Sequence, residues 1–504
     1  MSAKTHTIAI SQVENPVGAG NPAGDILRRI GALADDEHIE VYVVGGYVRD
    51  KLLGKDVNDI DVLVVGDGIA FANKAAFALG RKKVVTYERF GTAVLFLEPL
   101  KIEFVGARKE SYSEDSRKPS VAGGTLRDDL SRRDFTINAM AASLNNERWE
   151  ALEDPFDGRR DLEARIIRTP LDPVKTFDDD PLRMMRAIRF ASKLGFAIEE
   201  KTLSAIPAMK ERLAIVSQER ITDEFMKILA SPKPSVGLRL MFNTGVMHVV
   251  FPEVAELSGI DQRNDHHHKD VFLHTCQVVD NISTMTDDLY LRFTALVHDI
   301  AKPKTKQFRE GIGWTFYGHE ELGARMVKRM FRKLRLPFDK VPYVEKLVRL
   351  HLRPMALVDE DVTDSAVRRL LFDAGAESDD LMMLCRADIT SKNPKLVKEY
   401  TANYDRVYTK MKEVEEKDRM RAFQPPVRGD EIMQVCGLQP GKLVGVLKSH
   451  IEEAILDGTI PNEHDPALAY LLSIKDDVIR SFSKEMGDTN EQAKTEHRSE
   501  KSLP

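Results

Sequence analysis

Two hydrophobic periods divide this chain. Up to about Ile167, short apolar runs such as VYVV (Val41–Val44) and the VLVV that ends at Val65 alternate with helical stretches and Gly/Pro-rich turns. That pattern predicts a compact α/β head, entered through a helix over DILRRIGALAD. From Pro181 onward the apolar residues recur at three- and four-residue intervals, in PLRMMRAIRFASKLGF, QERITDEFMKILA and GLRLMFNTGVMHVVF. This spacing predicts helices. It persists from HHHKDVFLHTCQ to about Ser391 and again over 396–485. Both ends are polar. VENPVGAGNPAG reads as a loose leader, and 486–504 as a disordered tail.

Composition narrows the class. At 504 residues the chain is too long for one core. Its 42% hydrophobic and 31% charged content describes a soluble globular protein. No apolar run is long enough to cross a bilayer, no membrane partner is expected, and MSAKTHTIAISQ lacks a secretory pattern. Cys276, Cys385 and Cys436 form no disulfide framework, and a reducing cytoplasm is the expected compartment. Lys+Arg total 74 against 80 Asp+Glu, a net charge of −6. A nucleic-acid partner would therefore be held by local basic surfaces and by shape.

The chemistry concentrates in VYVVGGYVRDKLLGKDVNDIDVLVV, residues 41–65. A strand leads into Gly45 and Gly46, a short helix carries Arg49 and Asp50, and a second strand carries Asp59 and Asp61. Residues two apart on a strand share a face, so two carboxylates stand side by side. Such a pair is costly unless a hard divalent cation lies between it and a polyphosphate. No GK[ST] follows the glycines, which excludes a Walker A loop. Further on come SRRDFTINAM, the turn EDPFDGRRDL, and DDDPLRMMRAIRF, in which Arg183, Arg186 and Arg189 follow Asp180 at steps of three. Taken singly, these read as a charged helix lip, a connection, and an N-cap followed by a basic face. A long polar loop, ARKESYSEDSRKPSVAGGTLRDD, precedes them.

In this order, GGxVRD, DxD, RRDFTINA, DPFDGR and DDxxRxxRxxRF resemble the class II nucleotidyltransferases, the bacterial-type CCA-adding tRNA nucleotidyltransferases and poly(A) polymerases, over roughly residues 36–255. The family usually has Glu-Asp where this chain has Asp179-Asp180, a swap that keeps the charge. The resemblance implies an α+β chain with a polymerase-beta-like head and all-helical neck, HD and C-terminal domains. The expected segments are a leader and helix (1–35), the head (36–168), the neck (169–262), an HD phosphohydrolase module (263–395), a C-terminal body (396–485) and the tail (486–504). It further implies that Asp59 and Asp61 are catalytic and hold Mg²⁺, and that Gly45, Gly46, Arg49 and Arg133 serve the nucleotide phosphates. Asp180 and Arg183 would read the base edge, and Arg186 and Arg189 would orient Asp180 or contact phosphate. Glu219 and Arg220, in QERITDEF, would buttress the pocket.

A second constellation comprises His274, the doublet His298-Asp299, His319, His351 and Asp388. It resembles the HD superfamily of metal-dependent phosphohydrolases. His274, His298, Asp299 and Asp388 would ligate a transition metal such as Mn, Co or Ni, or Mg. His319 and His351 would complete a second position or bind phosphate. The alternative is a relic HD fold kept for RNA docking. For the triplet His266–His268 a surface turn is the default.

The expected partners are tRNA, CTP and ATP, without DNA, as monomer or homodimer. The expected activity is CCA addition, joined to an HD phosphatase and 2′,3′-cyclic phosphodiesterase activity. Poly(A) polymerase, a CC-only or A-only enzyme, and an HD phosphohydrolase with a silent head are the alternatives. ERFGTAVL and the mixed-charge tail favour CCA addition over poly(A) synthesis, and the long polar loop argues against a CC-only enzyme. MVKRMFRKLRL, near residues 326–336, is a candidate basic face for RNA.

Overall fold

A computed structural model describes residues 22–499 except 82, 114–115, 265–266, 359–362, 392, 422–425, 457–458 and 462. The leader and His266 lie outside the described residues. The head is built on a seven-stranded sheet of β1 (Val41–Val44), β2 (Asp59–Val64), β3 (Val85–Tyr87), β4 (Thr92–Leu97), β5 (Leu100–Gly106), β8 (Ala141–Ser143) and β9 (Leu152–Glu153). Their order is β3-β4-β5-β2-β1-β8-β9. Only β2 and β5 run parallel, Asp61 opposite Glu103, and every other pair is antiparallel. Along β2 the pleat leaves Asp59 and Asp61 exposed and buries Ile60, Val62, Leu63 and Val64. The apolar half of the strand thus anchors it in the core while its polar start reaches the rim. The expected helix before the sheet is present as Pro22–Asp36.

The polar stretch after β5 is not a loop. Arg108–Ser113 (β6) and Ser116–Gly123 (β7) form an antiparallel ribbon with an irregularity between Ser111 and Ser113. A ribbon outside the main sheet needs no apolar face, so it lacks the alternation by which strands are recognised.

The DPFDGR turn has a structural task. Asp154 accepts from the backbone N–H groups of Gly158 (2.7 Å) and Arg159 (2.9 Å). This seats Gly158 so close to Thr136 that a Cβ would lie 2.2 Å from the Thr136 carbonyl oxygen. Asp161 then accepts from the Thr136 hydroxyl at 2.7 Å. The turn therefore props the RRDFTINA segment from behind.

The neck is helical as expected: Pro173–Asp179, Leu182–Leu194, Glu200–Met209, Gln218–Leu229 and Pro234–Asn243. Phe190 of the second of these packs edge-on against Phe135 of the head, with ring centroids 5.8 Å apart. Helices Val271–Ser283, Leu289–Val297, His319–Leu334, Val341–Leu350, Asp364–Ala374 and Ser378–Ala387 follow in the HD region. His267 and His268 lie on the strand His267–Asp270, paired with Asp261–Asn264, rather than in a turn.

Internal contacts divide the chain into two units. One comprises residues up to Arg353 together with Ala376–Thr401. The other comprises Pro354–Gly375 with Ala402 onward, so a piece of the stretch expected to belong to the HD module clusters with the C-terminal helices. That second unit has its own core around Val427, Ile432, Leu447, Ile451 and Leu471. Its last helix runs His464–Ser499, through most of the stretch expected to be disordered. The Glu, Gln, Ala and Lys residues there are good helix formers, so helix continues where no apolar face requires it.

Candidate active site and candidate metal centre

A cleft of about 710 Å³ opens between the head sheet and the neck helix Leu182–Leu194. All ten residues expected to bind nucleotide or its metal line it: Gly45, Gly46, Arg49, Asp59, Asp61, Arg133, Asp180, Arg183, Arg186 and Arg189. Gly45 is required by shape. Its φ is +68°, and a Cβ there would meet Arg133 Nη1 at 2.7 Å and Asp61 Oδ2 at 3.7 Å. The cleft floor is thus formed by bare backbone beside a guanidinium and a carboxylate.

Asp59 stands in solvent, 3.3 Å from Lys101 Nζ. Asp61 faces the cleft with protein around it. Loss of water raises its pKa, Arg133 and Lys101 counteract this, and Asp59 and Asp129 add to it. Glu103, opposite Asp61 on β5, also lines the cleft and is raised by burial and by Asp61. Carboxylate oxygens are the donors a hard divalent cation takes, although the three are not drawn together into one close ligand cluster as the side chains of the second centre are. Glu103 was missed from the sequence, although Ile102-Glu103-Phe104 places an acid between two core positions.

The cationic side is held by buried acids. Asp129 accepts from Arg132 (2.6 Å) and Arg133 (3.0 Å). Arg49 is itself buried, donating to Asp50 (2.7 Å) and Asn138 (2.6 Å). Arg186 pairs with Asp134 at 2.6 Å and Arg189 with Glu224 at 2.5 Å. Burial penalises charge on Asp134, but Arg186 and the Asn138 amide outweigh it and hold its pKa below the usual range. Asp180 accepts from the Leu182 N–H (3.2 Å) and from Arg220 (3.1 Å), while Glu219, expected beside Arg220, is exposed and lies 3.9 Å from Arg335. Arg183 donates to the carbonyl oxygens of Thr176 (3.2 Å) and Arg132 (2.5 Å). Asp129, Asn138 and Glu224 were not expected as parts of this site. Their signal is only their place inside motifs quoted for other residues.

The second constellation closes into one buried centre. His274, His298 and Asp388 form one ligand trio and Asp299, His319 and His351 another, each with its donor atoms within 4.8 Å. Asp299 joins them, 3.2 Å from both His298 Nε2 and His319 Nε2 and 3.6 Å from His274 Nε2. His351 Nε2 is 3.9 Å away, so the two histidines expected to complete a second position or bind phosphate stand in the same centre. Three rings are anchored from behind. His298, His319 and His351 place Nδ1 at 2.7–2.8 Å from the carbonyl oxygens of Ala295, Phe316 and Val348. A carbonyl can only accept, so each Nδ1 carries a proton, and each ring in its neutral form turns an Nε2 lone pair inward.

The outcome is a cluster of acceptors facing acceptors. Nε2 of His298, His319 and His351 and Oδ1 of Asp388 are buried without a hydrogen-bond partner. Burial disfavours charge on His298, yet Asp299 and Asp388 push its pKa up to about 10. Burial and the neighbouring His298 push His351 down to about 3. The centre demands positive charge, and a metal ion bound by imidazole and carboxylate meets that demand. Lys302 supplies part of it, 2.6 Å from Asp299.

The basic run near 326–336 lies largely on the helix His319–Leu334. Lys328, Arg329 and Arg332 are exposed opposite buried Val327, Met330 and Phe331. Among the described residues no helix is long and apolar enough to cross a membrane.

Three families match successive parts of the chain. Residues 41–168 match the family described as Poly A polymerase head domain. Residues 195–257 match the one described as probable RNA and SrmB-binding site of polymerase A, and 271–392 the HD domain. A multifunctional CCA protein of Acidovorax ebreus is 32% identical over 371 residues, covering 69% of this chain and 82% of the relative. An A-adding tRNA nucleotidyltransferase of Halalkalibacterium halodurans is 40% identical over 209 residues, 40% of this chain and 48% of that protein. Among solved structures, the Thermotoga maritima CCA-adding enzyme complexed with tRNA_CCA is similar with a TM-score of 0.57 and 25% identity, over 90% of this chain and 96% of that one.

Proposed function

This chain belongs to the family of the CCA-adding tRNA nucleotidyltransferases, and from that premise we propose that it completes the 3′ ends of tRNA with CTP and ATP in the cytoplasm. The observation that carries the reading is the meeting of all ten expected side chains and glycines in one cleft. Asp59 and Asp61 are the residues that hold Mg²⁺, with Glu103 beside them. Mg²⁺, when bound there, supplies charge compensation for the triphosphate and activation of the terminal 3′-hydroxyl.

The chain's own groups do the rest. Gly45 and Gly46 let backbone approach the phosphates, and Arg133 stands over that floor. Asp180 accepts from an exocyclic amino group, and Arg183 donates to the ring nitrogen beside it. Cytosine and adenine present that pair in the same order; guanine and uracil reverse it, setting a carbonyl against the Asp180 carboxylate and an N–H against the Arg183 guanidinium. Acceptor then faces acceptor and donor faces donor, so the pair disfavours GTP and UTP. Arg186 and Arg189, tied to Asp134 and Glu224, act by holding the helix Leu182–Leu194 and its base-reading residues in register with the head.

For the second centre we propose phosphatase and 2′,3′-cyclic phosphodiesterase activity on RNA ends. His274, His298, Asp299 and Asp388, with His319 and His351, are the residues that hold a divalent ion such as Mn, Co, Ni or Mg. That ion, when bound, supplies the Lewis acid for phosphoester hydrolysis.

An A-adding enzyme is the second reading, favoured by the 40% identity to the Halalkalibacterium halodurans protein. One assay decides. A tRNA lacking CCA is incubated with Mg²⁺ and each labelled triphosphate alone, then together. CTP incorporation followed by a single A supports the proposal; incorporation of A only, and only onto tRNA ending in CC, assigns A addition. Continued A addition assigns a poly(A) polymerase.

A further inference from the structure

Between the doublet His298-Asp299 and His319 the chain makes an excursion that the ligand set does not require. Gln307–Arg309 and Gly313–Thr315 form a small antiparallel hairpin. It carries more exposed aromatic surface than a solvated turn needs: Phe308 is 63% exposed, Tyr317 64% and Trp314 43%, with Ile312 at the tip 66% exposed. Cations are interleaved with these rings. Lys306 Nζ lies 4.6 Å from the centre of the Trp314 ring, and Arg309 lies 4.8 Å from that of Tyr317. Phe308 and Trp314 pack edge to face at 5.4 Å. The segment 302–317, KPKTKQFREGIGWTFY, holds four Lys/Arg against one Glu in a chain whose net charge is −6.

The hairpin is also wired to the metal centre. The Phe316 carbonyl accepts from His319 Nδ1 at 2.7 Å, and Lys302, at the other root, reaches Asp299 at 2.6 Å. Whatever rests on the hairpin is therefore placed beside a phosphoester-hydrolysing site.

We propose that this hairpin is a docking platform for the single-stranded 3′ end of RNA, stacking terminal bases on Phe308, Trp314 and Tyr317 and holding the intervening phosphates with Lys306 and Arg309, so that the terminal phosphate reaches the HD centre. Exposed rings with interleaved cations are what sequence-tolerant single-strand binding requires, because every base has a stacking face and every linkage a charge. A protein partner would need a broader apolar patch, and three-residue strands do not supply one. The last clause of the proposal rests on the phosphohydrolase reading; the docking itself does not.

The test uses Trp314 as its own reporter, since the chain has only two tryptophans and Trp149→Phe leaves it alone. The full-length W149F protein, loaded with Mn²⁺, is titrated with a short single-stranded RNA ending in a 2′,3′-cyclic phosphate. Saturable quenching is expected, weakened about tenfold or more by Phe308→Ala, the loss of one stacked base, and by K306E/R309E with a flatter salt dependence. Circular dichroism melts establish that both variants fold. Unchanged binding in both folded variants, or equal quenching by a polyglutamate peptide, overturns the platform. In the hydrolysis assay of the same RNA the loss should fall on KM rather than kcat. Absence of hydrolysis in the parent, with quenching intact, removes the phosphohydrolase reading and leaves the docking proposal standing.

Discussion

At the residue scale the cleft is defined by a few atoms that tolerate no replacement. Gly45→Ala places a Cβ 2.7 Å from Arg133 Nη1 at φ +68° and ψ −128°, a conformation that favours glycine. Holding another residue in such a sparsely populated region costs roughly 1–3 kcal/mol, too little to unfold the chain, so nucleotide incorporation should fall at least tenfold while the melting temperature drops by only a few degrees. Asp59→Ala with Asp61→Ala should abolish extension of tRNA with folding retained, as followed by incorporation of labelled CTP and by thermal melting. Glu103→Gln should lower the rate by about tenfold or more, a smaller loss, because it stands beside the pair rather than in it. Unaltered rates in Glu103→Gln would deny the third carboxylate any role. The acid pair on β2 was legible because strand alternation is local. Glu103 was not, because its partnership with Asp61 exists only once β2 and β5 align.

At the scale of the element, partners far apart in sequence decide what a helix does. Arg186 and Arg189 repeat at helical spacing and, by the family resemblance, would orient Asp180 or contact phosphate; both line the cleft. Their nearest partners are Asp134, 52 positions away, and Glu224, 35 away. No local period encodes such pairings. They clamp the neck helix to the head and to its neighbour. Because Asp134 titrates below the ordinary aspartate range when folded, its contribution is present above about pH 4 and is lost as the pH falls through the lowered folded value. Asp134→Ala should destabilise the first unit by about 3 kcal/mol at neutral pH and flatten the acid limb of its stability curve, as measured by urea unfolding across pH. The ribbon β6–β7 escaped for the opposite reason: it is local, but polar stretches carry no period that distinguishes strand from loop.

For the whole molecule, the sequence disclosed the order of modules through motif order and the change of hydrophobic period, and the α+β architecture followed from it. The division into units was not legible, since Pro354–Gly375 leaves the helices around it in sequence to cluster with residues after Ala402, where Asp364 pairs with Lys410 and Lys417. That organisation predicts calorimetric behaviour. A divalent ion bound at the HD centre should raise the melting of the first unit, by about 2.7 kcal/mol at a hundredfold excess over Kd. The second unit's transition should not move. Chelation should reverse the shift, and His298→Ala with Asp299→Ala should remove it. A shift of both transitions together would contradict the assignment.

Three imidazoles of the HD centre are fixed from behind by backbone carbonyls. Such a socket keeps its donors at a set spacing, so it sorts guests by how well their size and preferred geometry fit that spacing. The intrinsic ranking of first-row ions then acts only among those that fit, and supply decides between near equals.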